Sequence, residues 1–95
     1  MSTDPIRRRI VVHGRVQGVF FRDSTREFAG RHRVAGWVRN REDGAVEALL
    51  EGSACAVQAV IEFTSEGPSH ADVRDVDVID ESVDSGEPLR GFEVR

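Results

Sequence analysis

The sequence predicts an α+β fold in which two helices cover one face of an antiparallel sheet. Two segments carry apolar residues at helical spacing, and five others are short, apolar and bounded by turn residues. Their order along the chain is β-α-β-β-α-β with one late strand. With 95 residues, 39% of them hydrophobic, the chain is long enough for one core. We therefore predict a single domain over residues 1–95, with residues 1–6 flexible.

The first half of the chain predicts a strand, a helix and a β-hairpin. These elements are expected at residues 8–13, 21–31, 34–39 and 45–51. The helical spacing brings four residues to one face, namely Phe21, Thr25, Phe28 and Ala29. The two strands of the hairpin flank an Asp43-Gly44 pair, which is typical of a hairpin turn.

The second half predicts another helix and two more strands. Ser53 is a typical helix N-cap, and Gly67-Pro68 ends the helix that follows. The core face of this helix is expected to contain Ala54, Val57, Val60, Ile61 and Thr64. The last two strands are marked by Val73, Val76 and Val78 and by Phe92 and Val94. The complete order is that of the ferredoxin-like class.

Composition and charge exclude several kinds of protein. The single cysteine, Cys55, rules out an internal disulfide, fits a reducing compartment and is expected to pack as a small apolar residue. No apolar run is long enough to span a membrane, and residues 1–9 lack the apolar core of a signal peptide. The net charge of −4 disfavours nucleic-acid binding. We expect a cytoplasmic monomer with no membrane or nucleic-acid partner.

Residues 14–22, Gly-Arg-Val-Gln-Gly-Val-Phe-Phe-Arg, connect the first strand to the first helix. A glycine-containing loop that enters a helix N-terminus directs several backbone N–H groups at one point, where the helix dipole adds positive potential. Gly14 and Gly18 alone are equally well explained as ordinary turn glycines. Arg22, however, has no acidic residue three or four positions away to pair with. Its presence favours a cradle for a phosphate-sized anion.

A second motif surrounds the hairpin, with Gly-Trp-Val-Arg-Asn at residues 36–40 and Gly-Ala-Val-Glu-Ala at residues 44–48. Together the two motifs make the chain resemble the acylphosphatase family. All nine positions from Gly14 to Arg22 match the family's first signature. The second signature is matched by Gly36, Trp37, Val38, Asn40, Gly44 and Val46, with Gly52 as the closing glycine. The likeness in element order extends from about residue 8 to residue 94.

The resemblance implies hydrolysis of the carboxyl–phosphate bond of small acyl phosphates to a carboxylate and inorganic phosphate. It implies that Arg22 and backbone N–H groups of the loop bind the phosphate. Those N–H groups belong to Gln17, Gly18, Val19 and Phe20. It also implies that Asn40 orients the attacking water, which makes Arg22 and Asn40 the catalytic residues. No metal, cofactor or covalent phosphoenzyme is expected. Without the resemblance, Asn40 would be interpreted as a strand-end residue that tolerates a left-handed conformation.

One pair of residues departs from the family pattern. His32-Arg33 stands where the family usually has Leu-Gly. The glycine would supply a left-handed C-cap, so Arg33 is expected to cost about 1 kcal/mol of stability. The alternative is that the first helix ends earlier, at Gly30.

Several other residues with polar or reactive side chains are interpreted as structural. His13 is taken as a strand-end residue and Trp37 as a core or sheet-face aromatic. The three histidines and Cys55 do not have the spacing of a zinc site. Acidic residues between the valines of the fourth strand indicate a solvated sheet face rather than a calcium site: Asp72, Asp75, Asp77, Asp80, Glu81 and Asp84.

Two functions besides hydrolysis are considered. A phosphate- or carbamoyl-phosphate-binding module without catalysis is disfavoured by the combination of Arg22 with Asn40. An RNA-binding module shares the order of elements, but the first and third strands here lack aromatic residues on which bases could stack.

Overall fold

The computed structural model describes residues 4–83 and 89–95, and every predicted element is present. In chain order the elements are the strand Ile6–Arg15 (β1), the helix Phe21–Arg31 (α1), the strands Ala35–Asn40 (β2) and Val46–Gly52 (β3), the helix Ala54–Glu66 (α2) and the strands Asp72–Glu81 (β4) and Phe92–Val94 (β5). The ferredoxin-like prediction is confirmed. Residues 1–3 lie outside the described part, and the flexibility expected for residues 1–6 stays a prediction, although Ile6 already belongs to β1.

The five strands form one sheet in the order β4-β1-β3-β2-β5. Four of them are antiparallel, as predicted, whereas β5 runs parallel to β2. β4 ends beside Arg7, at the end of the sheet where β2 begins. β5 begins at this same end, with Phe92 opposite Gly36, and therefore runs in the same direction as β2. The prediction of an entirely antiparallel sheet is therefore corrected for its last strand.

The hydrophobic core lies between the two helices and one face of the sheet. The sheet contributes side chains from alternating strand positions, namely Ile10, Val12, Val38, Val46, Ala48 and Leu50. The helices contribute Phe21, Thr25 and Ala29 from α1 and Val57, Val60, Ile61 and Thr64 from α2. Each fully buried aliphatic or aromatic side chain stabilises the fold by about 1.5–3 kcal/mol. The Thr25 and Thr64 hydroxyls each donate to a backbone carbonyl at 2.8 Å, so both remain paired inside the core.

The start of α2 agrees with the sequence at its cap and differs in its first turn. The Ser53 hydroxyl oxygen accepts a hydrogen bond from the Ala56 N–H at 3.2 Å, which confirms the predicted N-cap. Ala54 and Cys55 are exposed, contrary to the prediction, because Cys55 lies on the side of α2 away from the buried residues and Ala54, the first residue of the helix, precedes the first of them, Val57. No helix within residues 4–83 and 89–95 is long and apolar enough to cross a membrane.

The C-terminus of α1 contains the left-handed residue that glycine usually supplies. α1 continues through Gly30 to Arg31, so the earlier end considered from the sequence is wrong. Arg33 has a φ of 57°. The N–H groups of Arg33 and Val34 bond back to the carbonyls of Gly30 and Ala29 at 3.3 and 2.9 Å, as in a Schellman motif. Because an arginine occupies the left-handed position, the expected cost of about 1 kcal/mol applies.

The valines of β4 are unevenly spaced because β4 contains a bulge, in which Arg74 is the extra residue. The register of the β1–β4 pair shifts between His13 and Gly14, which lets Val73 and Val76 both pack against the core. Acidic residues of β4 pair with basic residues of β1 as His13–Asp77 at 3.0 Å, Arg8–Asp80 at 2.9 Å and Arg9–Glu81 at 2.7 Å. These contacts account for much of the acidic composition of the strand. Asp84, grouped with these acids from the sequence, lies outside the described residues.

Ion pairs also cover the sheet face opposite the core. Glu47 and Glu51 of the central strand β3 are only 4% and 5% exposed. Arg7 contacts Glu51 at 2.7 Å, while Arg9 and Arg39 contact Glu47 at 3.3 and 2.6 Å. The arginine side chains thus shield the buried carboxylates, and β3 is buried on both faces.

Candidate active site

The loop between β1 and α1 leaves the N-terminus of the helix without a side-chain cap. Phe20 occupies the N-cap position in a left-handed conformation, with φ of 59° and ψ of 24°, and its side chain makes no cap hydrogen bond. The Ser24 N–H donates to the Phe20 carbonyl at 3.0 Å, which begins the helical ladder. The backbone N–H groups before Ser24, in the first turn of α1, therefore have no partner within the helix, and they lie at the positive end of its dipole. Such a terminus is suited to anion binding.

A cavity of about 270 Å³ opens at this terminus. Its lining consists of Val16, Gly18, Phe20, Phe21, Arg22, Asp23 and Asn40. Arg22 comes from the first turn of α1 and Asn40 from the end of β2, so the cavity joins residues of both sequence motifs. The volume is large enough for a phosphoryl group together with a water molecule.

Arg22 is held in place by the end of the chain that follows β5. Its Nη1 donates to the backbone carbonyl oxygen of Arg95 at 3.0 Å. Within residues 4–83 and 89–95, no Asp or Glu side chain lies within ion-pair distance of the Arg22 guanidinium. A guanidinium with only its Nη1 engaged in this way keeps further N–H donors for an anion.

Asn40 places a carboxamide at the wall of the cavity. Its Oδ1 is buried and accepts no hydrogen bond from any group in the described residues. Leaving such an acceptor unpaired lowers the free energy of unfolding by about 1–3 kcal/mol, so an asparagine with a purely structural role is unfavourable at this position. Asn40 is not among the non-glycine residues with positive φ in residues 4–83 and 89–95. The interpretation of Asn40 as a left-handed strand-end residue is therefore wrong.

Comparisons with known proteins agree with this geometry. A family model described as Acylphosphatase matches residues 8–94. This chain belongs to the acylphosphatase family. An acylphosphatase from Rubrobacter xylanophilus is 57% identical over 89 residues, covering 94% of this chain and 79% of that protein. One from Haloarcula marismortui is 48% identical, covering 94% of each chain. The solved structure of an acylphosphatase from Coxiella burnetii has a TM-score of 0.89 at 35% identity and covers 97% of this chain and 94% of that chain.

Family membership makes the chain an acylphosphatase enzyme, as the sequence predicted. Of the residues expected to form the acylphosphatase site, four line the cavity, namely Gly18, Phe20, Arg22 and Asn40. Gln17 and Val19 belong to the same loop, but their side chains lie elsewhere. Val19 is 7% exposed and packs into the core. The roles expected of all six residues, including the backbone N–H groups of Gln17 and Val19, stay predictions.

Gln17 has a contact that the sequence did not indicate. Its Nε2 donates to the carbonyl oxygens of Arg41 and Ala45, at 2.8 and 3.0 Å. These two residues flank the hairpin turn directly after Asn40, and the Arg41 N–H itself bonds to the Ala45 carbonyl at 2.8 Å. The Gln17 side chain therefore ties the loop before α1 to the strand end that carries Asn40.

Trp37 and His13 lie outside the cavity of the acylphosphatase site. The guanidinium carbons of Arg39 and Arg95 lie 5.7 and 5.0 Å from the centre of the Trp37 ring, which accords with its interpretation as a sheet-face aromatic. His13 contacts Asp77 of β4 at 3.0 Å, near the end of β1. The sequence did not single out Asp23, which lines the cavity, or the Arg95 carbonyl, which holds Arg22.

Proposed function

We propose that this acylphosphatase hydrolyses the carboxyl–phosphate bond of small acyl phosphates by direct attack of water on phosphorus. The proposal includes no metal ion and no covalent phosphoenzyme. The observation that carries it is the cavity shared by Arg22 and Asn40 at the uncapped N-terminus of α1. In this proposal, Arg22 and Asn40 are the catalytic residues.

Arg22 and the loop bind the phosphoryl group. The Arg22 guanidinium supplies a charged, planar set of donors to the phosphoryl oxygens. Backbone N–H groups of Gln17, Gly18, Val19 and Phe20 supply further donors. Charge on the phosphoryl oxygens is redistributed in the transition state, and donors already oriented towards them stabilise it without reorganisation.

Asn40 positions the attacking water. A half-turn about the terminal bond of the side chain exchanges its oxygen and its amino group, so either end can face the cavity. The unpaired Oδ1 supports this role, because a bound water would provide the missing donor. A carboxamide does not accept a proton at neutral pH, so Asn40 orients the water without acting as a base.

The proposed reaction needs no strong general acid. The water oxygen forms a bond to phosphorus as the bond between phosphorus and the carboxylate oxygen breaks. The carboxylate leaves with the electron pair of that bond, and the water protons pass to phosphate oxygens. Because a carboxylate is a good leaving group, orientation and charge stabilisation are the main tasks of the protein.

The test is hydrolysis of benzoyl phosphate in water labelled with heavy oxygen, with excess chelator present. We expect chelator-insensitive turnover that places the label in inorganic phosphate. Label in benzoate would indicate attack on the carbonyl carbon, and loss of turnover with chelator would indicate a required metal. A folded protein that binds phosphate without turnover would instead be a binding module.

We further propose that the enzyme acts in the cytoplasm as a monomer that does not bind nucleic acid. The net charge of −4 supports the last point, and the exposed thiol of Cys55 suits a reducing compartment. Light scattering would report the mass in solution, and a mass above that of one chain would contradict the monomer.

A further inference from the structure

Phe20 combines three features that are each unfavourable for folding. Its side chain is 77% exposed, the largest value among the large apolar residues of the described chain. Its φ of 59° is a left-handed conformation that a side chain with a Cβ adopts reluctantly. It also occupies an N-cap position, where Ser, Thr, Asp or Asn would accept a hydrogen bond and Phe cannot.

Contacts within the described chain do not explain this choice of residue. Phe20 is not among the side chains that pack against the core cluster. The aromatic stacking seen in residues 4–83 and 89–95 involves Phe28, His32 and Phe63 instead. The left-handed turn into α1 would form more easily with glycine. Local strain that the fold does not require is characteristic of functional sites.

The position of the ring suggests what it does. Phe20 lines the same cavity as Arg22 and Asn40. The Asn40 Oδ1 is fully buried whereas the Phe20 ring is exposed, so these residues mark the inner and outer sides of the site. In an in-line displacement the leaving group departs opposite the attacking water. With water at Asn40, the acyl group leaves towards the outer side, where the Phe20 ring lies.

We propose that the Phe20 ring is an acyl-binding platform that favours substrates with aromatic or extended apolar acyl groups over acetyl phosphate. The inference rests on the proposed function, since it requires phosphate at the loop and water at Asn40. A benzoyl or long aliphatic group can cover the exposed ring and remove apolar surface from water. An acetyl group is too short to cover much of it.

The test compares benzoyl phosphate with acetyl phosphate as substrates of the full chain. Phe20→Gly and Phe20→Asn both remove the ring and tolerate the left-handed conformation. Phe20→Tyr is the matched control, because it keeps an aromatic ring at the same position. Every variant keeps the backbone N–H of residue 20. For each protein, kcat and KM are measured with both substrates, and the ratio of the two kcat/KM values is calculated.

We expect the benzoyl-to-acetyl ratio to fall about tenfold in Phe20→Gly and Phe20→Asn, mainly through a higher KM for benzoyl phosphate. Phe20→Tyr should keep the ratio within about twofold of wild type. Any change in the phosphate loop itself affects both substrates and cancels in the ratio.

An unchanged benzoyl-to-acetyl ratio in Phe20→Gly and Phe20→Asn would overturn the proposal that the Phe20 ring binds the acyl group. If wild type still hydrolysed both substrates, the proposed function would stand. A folded wild-type protein that hydrolysed neither substrate would overturn both proposals.

Discussion

The two helices differ at both of their ends. α2 follows Ser53, whose hydroxyl caps the first turn, and it ends at Gly67, which has a φ of 74°. α1 follows Phe20 and is itself followed closely by Arg33. These are the two non-glycine residues with positive φ in residues 4–83 and 89–95. α2 thus has the residues that helix termini usually have, whereas α1 lacks them at both ends.

The two irregular ends of α1 have different explanations. Phe20 lines the cavity with Arg22 and Asn40, so its conformation coincides with the proposed phosphate site. Arg33 follows the opposite end of the 11-residue helix, which is about 16 Å long. Nothing in the structure explains arginine rather than glycine there. The comparison teaches that a strained residue indicates function only when its surroundings form a site.

Removal of the Arg22 guanidinium is expected to have the largest effect. Arg22→Ala should lower kcat for benzoyl phosphate by about 10²–10³-fold and raise KM, because the charged donor contacts both the bound substrate and the transition state. Arg26→Ala is a matched control, since Arg26 lies on the same helix but does not line the cavity. Equal activity of the two variants would remove Arg22 from the site.

The Gln17 side chain is expected to affect turnover only by holding the loop before α1 in position relative to Asn40. Gln17→Leu removes both hydrogen bonds to the hairpin and should lower kcat about tenfold, because small displacements of reacting groups slow the reaction. Phosphate affinity should change less, since the backbone N–H groups remain. Arg41→Ala is the control, because it keeps the carbonyl that Gln17 contacts. If the variant lost only phosphate affinity, with kcat unchanged, the proposal that Gln17 holds the loop in position relative to Asn40 would be contradicted.

The cap of α2 should matter for stability and not for catalysis. Ser53→Ala removes the hydrogen bond to the Ala56 N–H and should lower the free energy of unfolding by about 1 kcal/mol. Urea denaturation measures this change, and steady-state kinetics of the folded variant should match wild type. A raised KM would contradict the expectation that the N-terminus of α2 does not influence the cavity at the N-terminus of α1.

The smallest expected effect is a gain in stability at the other end of α1. Arg33→Gly should raise the free energy of unfolding by about 0.5–1 kcal/mol, because glycine adopts positive φ without strain. Urea denaturation and steady-state kinetics together test this prediction, and the kinetics should not change. A stability equal to or below that of wild type would mean that the Arg33 side chain contributes an interaction that offsets its backbone strain.

Local sequence patterns were sufficient for most of the fold, and the two motifs were sufficient to name two residues that line one cavity. Helical spacing, the Asp43-Gly44 turn and the loop before α1 predicted the order of the elements. The resemblance carried by the two motifs then identified Arg22 and Asn40, which do line one cavity. The spacing of Val73 and Val76 also contained a sign of the β4 bulge, since three is not a regular strand period.

The contacts that were missed all depend on distant parts of the chain. Which sheet edge β5 joins determines both its parallel direction and the position of the Arg95 carbonyl beside Arg22. The bonds from Gln17 to the hairpin likewise require the packed fold and have no local sequence signal. Predicting them requires knowledge of strand pairing that neither periodicity nor turn residues provide.

The most direct test of the central claim separates turnover from phosphate binding in Asn40→Ala. Because the Asn40 Oδ1 has no partner in the described residues, the substitution should not impair folding. We predict that kcat for benzoyl phosphate falls by about 10²–10³-fold, while the Kd for inorganic phosphate changes by less than about threefold. A folded Asn40→Ala protein with near-wild-type kcat, or one whose defect lies only in phosphate affinity, would contradict the assignment of Asn40 to the attacking water.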